Sequence, residues 1–186
     1  MDVETYNYNF DIVELQNAVD NLLQQVPMHK HHNQISLKHT ELDYEKDLWY
    51  EGTGSLTYKF GENFIVDGKL VENEIKLKQH QFTVLNKQLK NTYIEYVHNC
   101  ISKDFEFGRF RLMGMVHKKC MSIHTDKTKR IHIPVVTNEN CLMIIDNKVH
   151  HMPANGSAYL TDTTKPHTAL NANHSFMRLH LLFDLL

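Results

Sequence analysis

The sequence has few cysteines and no long apolar run. Its three cysteines, Cys100, Cys120 and Cys141, are scattered without a CxxC spacing, which argues against a disulfide framework or a zinc ribbon and favours a reducing compartment. We expect them to be small buried hydrophobic side chains. No window approaches the roughly 18 apolar residues of a membrane span, and the acidic, aromatic start MDVETYNYNF lacks the pattern of a signal peptide. The chain is therefore predicted to be cytoplasmic, without a membrane partner.

The net charge argues against nucleic acid as a partner. The formal net charge is -2 at pH 7, whereas a protein that binds nucleic acid needs a dense cationic face. The 186 residues are 41% hydrophobic and 23% charged, which is ordinary for a globular protein and sufficient for one core. We predict a single domain over residues 1–186, with a framework of helices and strands in 1–104 and a metal-binding core in 105–186. No pattern indicates the oligomeric state.

Two stretches of the first half have the periodicity of helices. Residues 11–26 carry apolar side chains at helical spacing, with Asp11 and Glu14 at the start in the arrangement of a capping box and Pro27 just after the end. This pattern predicts an amphipathic helix. Residues 82–101 return to helical spacing and predict a second helix.

The remainder of the first half predicts a connector and a hairpin. The polar stretch 28–34 contains three of the 14 histidines, namely His29, His31 and His32. We interpret them as solvated loop residues, because adjacent ligands in a loop have no scaffold to fix their geometry. Residues 55–78 shift towards a period of two, and Asp67-Gly68 between apolar runs is a hairpin signal. None of this indicates chemistry.

After residue 105 the sequence is typical of an all-β fold. Short strand-like runs alternate with turn formers at intervals of roughly 8 to 12 residues, which predicts an antiparallel sandwich or barrel. One run, RIHIPV, alternates Arg130 and His132 with Ile131, Ile133 and Val135. A sandwich strand with this pattern faces a cavity on one side and a core on the other. We therefore predict one β-sandwich that the helices buttress.

A metal site is predicted within this half. In His124-Thr125-Asp126 the first and third side chains point to the same side of an extended chain. A third ligand from a distant strand would complete the two-histidine, one-carboxylate arrangement of non-haem iron(II) oxygenases. His167, about 40 residues later, is the best candidate. The alternative is a surface histidine beside an aspartate that caps a turn.

Arginine is scarce beside lysine. The chain has 16 lysines and four arginines, Arg109, Arg111, Arg130 and Arg178. Where lysine supplies the surface charge, arginine is expected at positions that need a planar, permanently charged fork. An iron site that must also hold a dicarboxylate cosubstrate needs one fixed cation for the carboxylate far from the metal, and Arg178 would suit that task. Arg109, Arg111 and Met113 share a strand face that would suit a carboxylate-bearing substrate if it lines the cavity; an exposed charged strand is the alternative.

From about residue 107 to 185 the sequence resembles the aspartyl/asparaginyl β-hydroxylase-like branch of the 2-oxoglutarate oxygenases, a group that also includes certain free-proline hydroxylases. The matching elements occur in order: GRFRLMGM, HTD, RIHIPVVTN, HHMPANGSAYLTD, KPHTALN and MRLHLLFD. The resemblance implies a mainly β fold, a double-stranded β-helix of jelly-roll or cupin type. It also implies the residues of the site: His124, Asp126 and His167 for iron, and Arg178, with Arg130 and His132 nearby, for 2-oxoglutarate.

The activity that the resemblance implies is that of a dioxygenase. Such an enzyme uses Fe(II), 2-oxoglutarate and O2 to hydroxylate a C–H bond of a small substrate, here an amino acid or an Asp, Asn or Pro residue of a peptide. No catalytic residue beyond the metal ligands is expected, because the metal and the cosubstrate carry the chemistry. Two alternatives remain open: a cupin-like metalloprotein, whether isomerase, hydrolase or binding protein, that does not use 2-oxoglutarate, and a sandwich that only binds other proteins.

Overall fold

A computed structural model describes residues 1–44, 46–59, 64–66, 69–71 and 74–186. Within these residues, two α-helices, α1 (Ile12–Gln25) and α2 (Tyr93–Asp104), accompany sixteen strands. In chain order the strands are β1 (Val3–Tyr6), β2 (Gln34–Ser36), β3 (Lys38–Thr40), β4 (Thr57–Lys59), β5 (Phe64–Val66), β6 (Lys69–Val71), β7 (Glu74–Lys76), β8 (Phe82–Leu85), β9 (Phe107–Met115), β10 (Lys119–Cys120), β11 (Arg130–Val136), β12 (Cys141–Ile145), β13 (Lys148–His151), β14 (Ala158–Thr161), β15 (His167–Asn171) and β16 (Arg178–Leu185).

Two antiparallel sheets form the sandwich. The larger sheet has the strand order β1-β14-β11-β16-β9-β2, and the smaller has the order β10-β15-β12-β13. Neighbouring strands in both sheets run antiparallel. The predicted mainly β sandwich is therefore confirmed. The edge strand β1, which pairs with β14, had no signal in the sequence.

The larger sheet has one apolar and one polar face. On the apolar face, Phe110 of β9 and Phe183 of β16 stack with ring centroids 4.2 Å apart, and Ile131, Ile133 and Val135 of β11 are buried in the same core. The helices complete this core with Leu15, Val19, Leu22, Ile94, Val97 and Ile101. Because side chains alternate along a strand, Arg130 and His132 lie on the opposite face, as their pattern predicted.

Helix α1 begins where the sequence predicted. The carboxylate of Asp11 accepts hydrogen bonds from the amides of Val13 (2.9 Å) and Glu14 (3.0 Å), which satisfies amides that have no partner within the helix. The amide of Asp11 itself donates to the hydroxyl of Tyr93 at 2.7 Å. The predicted capping box is thus replaced by a contact that ties the start of α1 to the start of α2.

The second predicted helix is wrong over residues 82–92. The segment Phe82–Leu85 is strand β8, which pairs with β3, and α2 begins only at Tyr93 behind its N-cap Thr92. Asn91 has a positive φ of 62°, a conformation that a helix interior does not allow. The apolar spacing arises instead because Phe82 and Leu89 are buried from a strand and a short 3-10 turn.

The predicted hairpin region is partly described. Strand β5 pairs with β6, and β4 pairs with β7, so the period of two does mark strands. The turn at Asp67-Gly68 lies outside the described residues. Neither helix in the described part of the chain has the length and hydrophobicity that a membrane span requires.

All three cysteines are free thiols. Cys141 is buried and Cys100 is partly buried, as expected of small hydrophobic residues, but Cys120 is exposed. The prediction of burial is wrong for Cys120 because the two-residue strand β10 pairs only with β15 at the edge of the smaller sheet.

Candidate metal centre

The three predicted metal ligands meet at one point. His124, Asp126 and His167 each offer a ligand atom, and these atoms lie within 4.8 Å of one another. A β-bridge explains the convergence, since the amide of His124 donates to the carbonyl of His167 at 3.0 Å and the reverse bond measures 2.9 Å. The amide of Asp126 then donates to the carbonyl of Thr163 at 2.8 Å. Backbone pairing thus places His167 beside His124 and Asp126.

Backbone carbonyls orient both imidazoles. Nδ1 of His124 lies 2.8 Å from the carbonyl oxygen of Ser122, and Nδ1 of His167 lies 2.9 Å from that of Lys165. Because a carbonyl oxygen only accepts hydrogen bonds, Nδ1 carries the proton in each ring. In the neutral rings the lone pair of Nε2 is then free to bind a metal ion, the arrangement expected of histidine ligands.

The ligand set fits a divalent cation. Nε2 of His167 lies 3.3 Å from Oδ2 of Asp126, and a lone pair facing a carboxylate oxygen is favourable only with a cation between them, either a proton or a metal ion. Burial opposes ionisation of Asp126, but the contact with His167 and the charge of Arg130 lower the pKa of this carboxyl below its usual value. Two imidazoles and an ionised carboxylate suit iron and related transition metals.

A network of buried charges adjoins the carboxylate of Asp126. Arg130 pairs with Oδ2 of Asp126 through Nη1, and its Nε donates to Oδ1 of Asp184 at 2.6 Å. Asp184 also accepts a hydrogen bond from Arg111 at 2.5 Å and forms an ion pair with Nε of Arg109 at 3.0 Å. Although burial of Asp184 opposes its ionisation, these three guanidinium groups hold the pKa of its carboxyl well below the usual range.

A cavity of about 450 Å³ opens at His124 and Asp126, a volume typical of small-molecule sites, and His167 lines a smaller recess. This recess shares His124, Arg130 and Arg178 with the main cavity, and it also adjoins His132, Met143, Ala169 and Leu182. The residues around the main cavity come from both halves of the chain: His31, His32, Asn33, Gln34, Gly54, Arg111, Met113, Gly114, Met115, Val116, Lys119, Met121, His124, Asp126, Arg130 and Arg178.

Arg178 is a buried cation in the wall of this cavity. The residue is 5% exposed, and its guanidinium makes no hydrogen bond or ion pair with any of the described residues. Burial lowers the pKa of Arg178 to about 10, so it stays charged at neutral pH. A buried charge without a partner is costly, and an anion bound here from outside the chain would offset that cost.

His132 adds a polar group to the recess. Its Nδ1 lies 3.3 Å from Nδ1 of His180, while its Nε2 is buried and has no hydrogen-bond partner among the described residues. Burial lowers the pKa of His132 well below its usual value, so the ring is neutral. An anion beside Arg178 could therefore also meet an imidazole.

The three residues predicted to contact a substrate differ in whether they reach the cavity. Met113 lines both the cavity and the recess. Arg111 reaches the cavity wall, but its guanidinium is held by Asp184 and by Oε1 of Gln34 at 2.9 Å. Arg109 is not among the lining residues; its Nη1 donates to the carbonyl of Gly52 at 3.0 Å. Asp184 already neutralises part of the charge on which the predicted substrate contacts depended.

The sequence missed the contribution of its first half to the site. His31, His32 and Gln34 line the cavity, although only a solvated connector and a framework were predicted there. His31 and His32 are exposed as expected. Their position over the cavity follows from the pairing of β2 with β9, which adds the preceding loop to the cavity wall. A contact between strands so far apart in sequence has no local signal.

The model of the aspartyl/asparaginyl beta-hydroxylase family matches residues 72–186. The chain belongs to this family. A solved structure with a similar fold is an oxidoreductase of the 2OG-Fe(II) oxygenase family from Burkholderia pseudomallei, with a TM-score of 0.51 and 13% sequence identity over 98% of this chain and 83% of that chain. This likeness confirms the predicted fold class. No curated protein matches the chain significantly.

Proposed function

We propose that this family member is a 2-oxoglutarate- and Fe(II)-dependent dioxygenase. It would hydroxylate a C–H bond of a small substrate, an amino acid or an Asp, Asn or Pro residue of a peptide. The family and the 2OG-Fe(II) oxygenase neighbour support the class of reaction. The observation that carries the proposal is the buried guanidinium of Arg178, which has no partner among the described residues. It lines the same cavity as His124 and Asp126 and the same recess as His124 and His167.

His124, Asp126 and His167 would hold the iron, since their lone pairs converge and their imidazole tautomers are fixed. When bound, iron and 2-oxoglutarate supply the activation of O2 and the oxidation of the C–H bond. The protein binds and orients both groups and shields them from water. We propose no separate general acid or base.

Arg178 would bind the 5-carboxylate of 2-oxoglutarate, because a guanidinium takes a carboxylate in a bidentate contact. His132 and Arg130, which lie on the same face of the sheet, would bind its polar groups nearer the metal. A cupin-like metalloprotein that does not use 2-oxoglutarate needs no cation at position 178. The buried charge of Arg178 therefore favours the dioxygenase over that alternative.

The test is conversion of 2-oxoglutarate to succinate by the purified protein with Fe(II) in air. A panel of free amino acids and short peptides is screened for those that accelerate succinate formation, and mass spectrometry detects a gain of one oxygen. We expect slow conversion without substrate and faster conversion with the correct one. Bound iron without succinate under any condition would favour the cupin-like alternative.

Two variants at one position separate cosubstrate binding from metal binding. Arg178→Ala should abolish measurable conversion, and Arg178→Lys should raise the KM for 2-oxoglutarate because an ammonium cannot form the bidentate contact. Both variants should bind iron as the wild type does. Unchanged conversion in Arg178→Ala would remove this arginine from the account of cosubstrate binding.

A further inference from the structure

Asp184 lies at the centre of the charged network behind the metal centre. It belongs to β16, the strand between β9 and β11 in the larger sheet, and its backbone is directly opposite Arg130. Its side chain is 1% exposed. Three guanidinium groups from the two flanking strands, those of Arg109, Arg111 and Arg130, converge on its two oxygens.

Only one of these arginines continues to a metal ligand. The other hydrogen bonds of Arg109 go to Gly52 and Gln79, and that of Arg111 goes to Gln34. Arg130 alone among them also pairs with Asp126. A guanidinium is planar and rigid, so fixing its Nε on Asp184 also fixes the direction in which Nη1 meets the carboxylate of Asp126.

We infer that Asp184 is a positioning residue of the metal centre, which acts through Arg130 to hold the carboxylate of Asp126 in the orientation that completes the three-ligand site. This inference rests on the proposed metal site. Without Asp184, the like charges of Arg109 and Arg111 would repel Arg130. Asp126 would then become its sole carboxylate partner in the network, and Arg130 would compete with the metal ion for it.

The experiment is a calorimetric titration of the metal-free full chain with MnCl2, because Mn²⁺ accepts the same ligands and is stable in air. Asp184→Asn keeps the size of the side chain and removes its charge. We expect the dissociation constant for Mn²⁺ to rise by about tenfold or more, the usual effect of losing a partner of a metal ligand. A folded Asp184→Asn variant with the wild-type dissociation constant would overturn the inference.

A double-mutant cycle distinguishes positioning from a merely structural role. If Asp184 acts through Arg130, adding Asp184→Asn to an Arg130→Met background should change the Mn²⁺ dissociation constant by less than about threefold. The same addition should still lower stability, because Arg109 and Arg111 lose their carboxylate. Equal effects of Asp184→Asn on Mn²⁺ affinity in both backgrounds would contradict an action through Arg130.

Glu51→Gln is the matched control. Glu51 is also a fully buried carboxylate, but it accepts hydrogen bonds from the amide and hydroxyl of Thr40, each at 2.7 Å, and none from Arg130. This variant should lose stability and keep the wild-type Mn²⁺ affinity. A matching loss of affinity in Glu51→Gln would assign the effect of Asp184 to general destabilisation and overturn the inference.

A second substitution covers the case in which Asp184→Asn does not fold. Arg130→Lys keeps the charge but cannot span the two carboxylates, so it should weaken Mn²⁺ binding by about tenfold; unchanged binding would overturn the inference. Failure of the wild type to bind Mn²⁺ would contradict the proposed function itself. Wild-type binding that both substitutions leave intact would contradict only the role of Asp184.

Discussion

Replacing Arg178 by methionine should stabilise the fold while it removes cosubstrate binding. Burial lowers the pKa of Arg178 to about 10, and each tenfold loss of proton affinity corresponds to ~1.4 kcal/mol, so the charged side chain costs the folded state about 3 kcal/mol relative to water. Methionine fills a similar length without a charge. We expect Arg178→Met to raise the free energy of unfolding by about 1 to 3 kcal/mol.

The pH dependence of this gain follows from the sign of the shift. Folding lowers the pKa of the Arg178 guanidinium. At pH values well below ~10, however, this group is protonated in both the folded and the unfolded chain. The gain should therefore be constant between pH ~6 and ~8 and should shrink only as the pH passes the lowered pKa. Urea unfolding at several pH values measures it.

Adding 2-oxoglutarate should cancel most or all of this difference in stability between the two proteins. With metal bound, a cosubstrate at 100 times its dissociation constant stabilises the wild type by ~2.7 kcal/mol and leaves Arg178→Met unchanged. Arg178→Lys, which retains a buried charge, is the control and should show no gain in stability. An Arg178→Met variant that is less stable than the wild type, or equal stabilisation of both proteins by 2-oxoglutarate, would contradict this prediction.

Two further predictions concern the fold and its charges. Gly108→Ala should lower the free energy of unfolding by about 3 kcal/mol, because a Cβ would lie 2.0 Å from the backbone oxygen of Gln79; an unchanged urea midpoint would contradict this packing. Burial opposes ionisation of Asp184, but its arginine partners lower the pKa of the carboxyl. The ionised group therefore stabilises the fold at pH values above its unfolded pKa of about 4. This contribution is lost as the pH falls towards the folded pKa. Between pH ~6 and ~3 the stability of the wild type should fall more steeply than that of Asp184→Asn, and parallel curves from urea unfolding would contradict the network.

Local periodicity was sufficient for the elements whose pattern reflects a single buried face. Apolar residues recur at helical spacing in 11–26 because α1 packs one side on the larger sheet. Polar and apolar residues alternate in RIHIPV because β11 lies between a core and a cavity. Helical spacing predicted the wrong element at residues 82–92, where the buried residues Phe82 and Leu89 belong to a strand and a 3-10 turn. Spacing alone cannot distinguish a helix from such a coincidence.

The candidate site also combines residues that have a local signal in the sequence with contacts that have none. The pair at 124 and 126 has a local signal, because alternate residues of an extended chain share a side. The orienting groups of His124 and His167 are backbone carbonyls, which every residue has, so no residue type marks them. The contacts between Asp184 and its arginines depend on the lateral order of β9, β16 and β11, which the sequence does not display.

The most direct test of the account is a crystal structure of the protein soaked with Mn²⁺, with the ion located by its anomalous scattering. We predict one ion about 2.0 to 2.3 Å from Nε2 of His124, Nε2 of His167 and a carboxylate oxygen of Asp126. An ion bound instead at His29, His31 and His32, or no ion near the three residues at saturating Mn²⁺, would contradict the account.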